Sequence, residues 1–523
     1  MKKTVVVLAI LFMMSLLFAQ ASWNWAKGVG GSSFDSGQSI AVDASGNSYV
    51  TGYFIDSADF GSISLTSNGN SDILVAKMDA NGNWLWAVSV GASDWDGGFD
   101  ICLDSEGNAY VTGYFNETVS FGTYELTSNG VNDVFVAKIS SAGVWQWAKN
   151  AGSSSNDFGY GIEIDATGNL YVTGWFAGTA SFGSYSVISA GDDDVFIAKL
   201  NSSGNWLGVL SAGGSNKDRS TGIGLANSGN AYITGEFSGS TTFGSISLTE
   251  YGNRDIFVAK ANSTLTSWQW AKNAGGTNED KGYAIKTDGS GNSYVTGYYI
   301  ASATFGSELI TALGNSDIFV SKLNTNGDWL WAISAGGSDY DIGYGIDIDA
   351  TGNSYITGIF SYTCSFGSHD VTTAGGGGSD IFVSKLNATG DEWLWAMSAG
   401  GSGSDTGNAI FKSNDDFIHA IGSFKDAADF GSTHLTSNGY DDIFVAKLQE
   451  SSMPSTPENV QIIINGNQVQ LSWNEVSGCT YTVYSDTDPE GDFSNVEQTG
   501  ITATNWTGSV SGTKKFYIVR AKN

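Results

Sequence analysis

A unit of about 61 residues returns seven times along this chain, and a sequence built that way buries its apolar faces only by stacking the copies on one another. The tetrapeptide Tyr49-Val50-Thr51-Gly52 recurs from Tyr110, Tyr171, Tyr232, Tyr294 and Tyr355, and a degenerate copy starts at His419; the spacings are 61, 61, 61, 62, 61 and 64 residues. A Phe-Gly pair follows in every copy, led by Phe60, Phe121, Phe182, Phe243, Phe305, Phe366 and Phe430. Next comes an Asp opening an apolar run that ends in Lys, as in Asp72-Ile73-Leu74-Val75-Ala76-Lys77.

One unit reads as four strands. Strand A is Ser39 to Asp43, and Ala44-Ser45-Gly46-Asn47 turns the chain, with Asp43 placed to accept turn amides and Gly46 free to take positive φ. Strand B is Ser48 to Phe54, strand C Asp72 to Met78, and strand D Trp84-Leu85-Trp86-Ala87 after a second turn at Asn81-Gly82-Asn83. Trp84 and Trp86 are two apart and share a face. Each such Trp, once buried, is worth of order 4–6 kcal/mol gross, from about 150–250 Å² of surface at ~25 cal/mol per Å².

The ends of the array predict how it closes. The last unit stops after its strand C, Asp442 to Leu448, while Trp23-Asn24-Trp25-Ala26 near the start is a strand D with no A, B or C before it. Joining the two completes one unit and removes the exposed edges of an open array. The expected fold is all-β: a seven-bladed β-propeller of four-stranded blades over residues 22–450, with the N-terminal strand completing the last blade. The segments Ile40 to Phe54, Trp84 to Ser93 and Asp442 to Leu448 resemble the bacterial beta-propeller repeat family abbreviated SBBP. That resemblance implies the propeller and a surface or secreted setting, and it assigns no activity.

All three prolines lie at Pro454, Pro457 and Pro489, so the texture changes at a linker, 451–457. Beyond it, Val460 to Ile464, Gln468 to Trp473, Thr480 to Tyr484 and Lys515 to Arg520 alternate as strands, with Trp473 and Tyr481 as core aromatics. Residues 458–523 resemble a short fibronectin type III module, which implies a C-terminal β-sandwich.

Residues 1–21 have a basic start, an apolar run to Phe18 and Ala19-Gln20-Ala21, the pattern of a signal peptide cleaved after Ala21. The run is short for a bilayer span, which needs about 20 residues, so no transmembrane segment is expected. With 53 acidic against 23 basic residues the formal charge is -30, which repels nucleic acid and anionic membrane surfaces. Cys102, Cys364 and Cys479 fall in three different units and read as small buried residues.

An Asp precedes strand A in every unit: Asp35, Asp96, Asp157, Asp218, Asp280, Asp341 and Asp405. A residue that every unit keeps is explained most simply by a turn that every unit needs, so these are read as caps on loop amides. The cluster Asp192-Asp193-Asp194 is not repeated and offers oxygen donors of the kind calcium takes. No other cofactor is called for. Arg219 and Arg254 are the two arginines of the repeat region; with Lys217, Glu236, Glu279 and Lys281 they mark unit four and its neighbour as the place where the repeat departs from its pattern. Two readings attach to them: a cationic notch for a carboxylate or sulfate group, and a solvated network of ion pairs.

Enzyme motifs are missing from the sequence: three His residues (His369, His419, His434), no His-Glu-x-x-His, no Gly-x-Ser-x-Gly and no phosphate-cradling loop. The expectation is a monomeric, secreted or cell-surface binding or adhesion protein with no catalytic residues, its partner an extracellular protein or carbohydrate. A structural matrix protein without a ligand and a polysaccharide hydrolase or lyase are the alternatives.

Overall fold

The computed structural model describes residues 21–375, 377–450, 461–465, 468–473, 480–486, 495–509 and 516–522. The expected signal peptide, apart from Ala21, the linker 451–457 and Cys479 lie outside them. Two compact units result, Ala21–Glu450 and a C-terminal one.

The first is an all-β propeller. In the first repeat, strands Ser36–Val42, Ser48–Phe54, Asp72–Met78 and Trp84–Val90 form one antiparallel sheet in that order. The inner strand A of each repeat lies against that of the next, and the last, Thr406–Lys412, lies against the first. Gly46 takes φ 80° in the A–B turn, where Asp43 accepts the amides of Ser45 and Asn47.

The residues that define the repeat each hold a joint. Lys77 lies over the ring of Tyr49 at 4.5 Å and pairs with Asp43 at 3.6 Å, and Lys138 with Tyr110 and Asp104 repeats this in the second unit. The tetrapeptide Thr donates to strand C, as in Thr112 Oγ1 to the Phe135 carbonyl at 2.8 Å. The first Trp of strand D meets the Phe of the Phe-Gly pair edge-on, Trp84 on Phe60 at 4.9 Å and Trp145 on Phe121 at 4.9 Å. The second reaches onward: Trp86 Nε1 donates to Ser141 O in the next unit at 3.1 Å. At the chain ends Trp23 takes the same place on Phe430, centroids 5.0 Å apart, as strand Ala21–Val29 pairs antiparallel with Thr433–Glu450. Ala21, the expected last residue before cleavage, opens this strand opposite Glu450.

Two expectations need correction. A short hairpin such as Ser57–Phe60 with Ile63–Thr66, with the Phe-Gly pair as its turn, stands between B and C; in five units it adds two strands to the expected four, and in the third and last it continues B and C themselves. The expected seven separate blade sheets also do not appear. Five units stand as sheets of their own, and the strands A to D of the sixth unit and A to C of the last join the N-terminal strand in one eight-stranded sheet, while the sixth unit's hairpin Thr363–Phe366 with His369–Thr372 pairs into the sheet before it. The cause is local: strand Phe417–Phe430 runs unbroken from B into the hairpin, and Gly400 and Gly401 pair with Asp429 and Ala428 across the unit boundary.

The repeated loop Asp residues cap backbone amides, as expected. All seven are 0% exposed. Asp157 accepts from Ser153 N at 2.6 Å, four residues before it, and Ala177 N at 3.2 Å, twenty after it; Asp280 does the same with Gly276 N at 2.6 Å and Ile300 N at 2.9 Å. The C-terminal unit has two three-stranded sheets, Gln461–Asn465, Gln468–Ser472 and Asn505–Ser509 in one, Asn495–Ile501, Thr480–Asp486 and Phe516–Lys522 in the other. Trp473 and Tyr481 are buried with centroids 5.2 Å apart, as core aromatics. Cys102 and Cys364 are buried and free.

Candidate binding site

Every strand A carries one β-bulge, and it falls at the same place each time: the ladder slips between Gly37 and Ser39, Gly98 and Asp100, Gly159 and Gly161, Ser220 and Gly222, Gly282 and Ala284, Gly343 and Gly345, and Gly407 and Ala409. A bulge leaves its extra residue unpaired and re-aims that side chain. The residues so released are Gln38, Phe99, Tyr160, Thr221, Tyr283, Tyr344 and Asn408. All seven, with Trp175, Arg219 and Lys281, line one cavity of about 300 Å³ at the centre of the ring.

Its wall has two characters. Phe99 stacks on Tyr160 at 4.6 Å with ring planes 14° apart, and Tyr344 meets Tyr283 edge-on at 4.8 Å. Between these rings stand neutral hydrogen-bonding groups. Gln38 Nε2 donates to Ser36 Oγ at 2.7 Å, Asn408 Nδ2 to the Gly37 carbonyl at 2.8 Å, and Thr221 Oγ1 to the Gly282 carbonyl at 2.7 Å. Each keeps its oxygen as an acceptor.

A second cavity of about 360 Å³ is lined by several of the same residues, together with Asp100, Glu163 and Lys286. There Lys286 Nζ donates to Glu163 at 2.9 Å, and Glu163 holds the ammonium pKa well above its usual value. Asp100 accepts from Ser39 Oγ at 2.7 Å and Ile162 N at 2.8 Å, and burial raises its carboxyl to about 6. Asp347 accepts from Lys412 N at 2.7 Å. Lys286 and Glu163 satisfy each other between units five and three, and Asp100 and Asp347 tie their strands A to those of neighbouring units.

Of the charged residues singled out in unit four and its neighbour, Arg219 and Lys281 line the cavity, and both lie against carboxylates. Arg219 lies 4.6 Å over the Trp175 ring and donates through Nε and Nη2 to Asp193, at 2.9 and 2.5 Å. Arg254 pairs at 3.3 Å with both Glu236 and Glu279, and Lys281 lies 3.6 Å from Glu236. Lys217 is exposed and outside the cavity lining. The notch is therefore neutralised by Asp193, Glu236 and Glu279, and with Glu236 only 3% exposed these pairs are not the solvated network expected. Asp192-Asp193-Asp194 does not converge either. Asp192 is exposed, Asp193 serves Arg219, and Asp194 is buried with Ala190 N donating to it at 2.8 Å. Among the described residues no three His, Cys, Asp or Glu side chains come together as metal ligands. His419 is buried beside Ser48, 3.1 Å from its Oγ, and burial pushes its pKa down to about 3. His434 sits exposed against Asp429.

Sequence reasoning missed the bulge residues, although a signal was present. Two positions before the repeated Ile of strand A (Ile40, Ile101, Ile162, Ile223, Ile285, Ile346, Ile410) the residue is aromatic in four units and polar in three, while the residue before it is Gly in six of the seven.

The model of the family described as beta-propeller repeat, SBBP, matches residues 24–53. The chain is 24% identical over 503 residues to an uncharacterized WD repeat-containing protein of Acanthamoeba polyphaga mimivirus, covering 77% of this chain and 36% of that protein. It is 23% identical over 317 residues to the regulatory protein FlaEY of Caulobacter vibrioides, covering 55% and 33%. The chain thus spans about a third of the length of these curated relatives. Among solved structures it is similar to the quinohemoprotein alcohol dehydrogenase of Comamonas testosteroni, at 10% identity and a TM-score of 0.39, covering 86% of this chain and 79% of that one. Among the described residues no helix is long and apolar enough to cross a membrane. By its repeats and its ring of sheets, the chain is a repeat-built β-propeller protein.

Proposed function

We propose that this is a non-catalytic binding protein acting outside the cytoplasm, and that it holds a neutral carbohydrate in the central cavity. One observation carries the reading: the residues freed by the bulges of the seven strands A, four aromatic and three polar, meet at one place. Flat ring faces suit the C–H faces of a sugar, and the amide and hydroxyl groups of Gln38, Thr221 and Asn408 suit its hydroxyls. A charged ligand is less well served, because Arg219 is already paired with a carboxylate and Lys281 lies next to one. In the same reading the eight-stranded sheet counts as two blades of a seven-bladed ring, residues 1–21 direct export, and 458–523 form an accessory fibronectin type III-like sandwich. The alternatives are a structural surface protein and a polysaccharide-active enzyme.

The test is a glycan array probed with the full chain, followed by calorimetry on any hit with Tyr160→Ala and Tyr344→Ala. Each variant is expected to weaken binding more than about tenfold, or 1.4 kcal/mol, at unchanged melting temperature. Parent-like binding by both variants places the ligand elsewhere, and turnover of the glycan makes the protein an enzyme.

A further inference from the structure

A second set of buried carboxyls accompanies the loop Asp residues. The Asp that opens strand C is also buried, and it lies next to the loop Asp of the following unit, as Asp255 does to Asp280 and, across the chain ends, Asp442 to Asp35. The two members are hydrogen-bonded differently. Both oxygens of Asp280 accept backbone N–H groups, from Gly276 and Ile300, and those of Asp35 accept from Gly31 and Ile55. Asp255 Oδ2 accepts from Tyr251 N at 2.7 Å, but its Oδ1 is buried without a partner; Asp442 Oδ1 is in the same position, and so are Oδ1 of Asp133, Asp194, Asp317 and Asp380. In these two junctions the orphaned oxygen and an oxygen of the neighbouring carboxyl close on the same glycine. A Cβ placed on Gly275 would lie 2.5 Å from Asp255 Oδ1 and 2.9 Å from Asp280 Oδ2, and one on Gly30 would lie 2.4 Å from Asp442 Oδ1 and 2.7 Å from Asp35 Oδ2.

An ionised buried carboxylate with an unpartnered oxygen beside a second carboxylate is costly on two counts, lost hydration and like charge. Protonation relieves both. The neutral acid keeps one oxygen for the backbone N–H and turns the other into a donor toward its neighbour. Calcium would need six or more oxygens, and no third carboxylate joins the pair. We infer that the Asp255–Asp280 and Asp442–Asp35 junctions, and the like junctions at Asp133, Asp194, Asp317 and Asp380, each hold one shared proton, and that the ring is therefore tightest in mild acid.

The surroundings point the same way. Around Asp255 and Asp280 stand Glu250 and Glu279, each raising one of the pair, with Arg254 committed to Glu236 and Glu279 and Lys281 beside Glu236. Around Asp442 and Asp35 stand Asp441 and Asp56, with Lys425 acting on Asp441. Burial foremost, then the neighbouring carboxylates, lifts Asp255, Asp280 and Asp35 to about 7 and Asp442 to about 6, against 3.8 for a free side chain. The folded chain keeps protons that the unfolded chain has released above its own pKa. Stability is then highest at low pH and is lost as pH rises through 6 to 7.

The experiment is thermal unfolding of the full chain at pH 5 and pH 8, with chelator and with added calcium, for the parent, Asp255→Asn and Asp280→Asn. The Asn at 255 mimics the protonated acid: its oxygen takes Tyr251 N–H and its amide donates to Asp280. It is expected to raise the melting temperature at pH 8 and to raise it by a smaller amount at pH 5, where the folded acid still holds its proton. At 280, where both oxygens already accept, Asn lowers it at both pH values. The parent should melt lower at pH 8 than at pH 5, indifferent to chelator, and should show at pH 6 an infrared carboxylic-acid band that weakens in Asp255→Asn. No gain from Asp255→Asn at pH 8, or no acid band in the parent, overturns the inference. Calcium restoring the parent at pH 8 overturns it too, by making the pair a cation site.

Discussion

Replacing Asp157 by Ala removes a fully buried cap whose cost follows from its bonds. The carboxyl accepts from Ser153 N, Ser153 Oγ and Ala177 N at 2.6, 2.9 and 3.2 Å, and the substitution leaves two buried backbone N–H groups unsatisfied. At about 1–3 kcal/mol each, the gross loss is about 2–6 kcal/mol. Against this stands the charge. Burial raises the Asp157 carboxyl from 3.8 to about 6, so the fold is penalised wherever the unfolded chain has released that proton and the folded one has not. By pH 5 this offset is about 1.6 kcal/mol, leaving a net cost of roughly 0.5–4 kcal/mol, and by pH 8 the cost shrinks by a further ~1.4 kcal/mol as the folded group ionises. Urea unfolding of parent and variant at both pH values measures the two differences. A cost that is flat or grows from pH 5 to pH 8 refutes the reasoning.

Removing Ala21–Val29 exposes the edge of strand Thr433–Glu450 and takes Trp23 off Phe430, so a lower melting temperature and self-association in sedimentation are expected. Thr112→Val deletes the bond to the Phe135 carbonyl and should cost about 1 kcal/mol in urea unfolding. Arg254→Ala leaves Glu236, 3% exposed, with Lys281 alone; a loss of about 1–3 kcal/mol is expected, with unchanged affinity for any ligand of the central cavity.

The repeat made the propeller legible because the residues kept in every unit are those that join strands or units, as Lys77, Tyr49 and Asp43 do together. Trp23 and Trp25 revealed the pairing of the chain ends for the same reason. The short hairpin was not legible: Ser57–Phe60 and Ile63–Thr66 are four residues each, too short for alternation to separate them from a loop. The joining of the last units into one sheet depends on backbone pairing at Gly400 and Gly401, which no side-chain pattern records. At the site, Arg219 stood out by type, but its partner Asp193 lies 26 residues away, so the neutralised charge was visible only in three dimensions. The bulge residues escaped because a bulge is a fault in register between two strands, while a repeat search rewards what stays the same.

That fault has an evolutionary consequence. A residue inside a ladder answers to a cross-strand neighbour, so changing it disturbs the sheet; Phe99, Tyr160, Thr221 and their counterparts have no opposite number in the ladder and answer to one another across the cavity. Their positions can be rewritten one at a time while the scaffold is copied unchanged by duplication, so a repertoire of specificities lies a few point changes from this sequence.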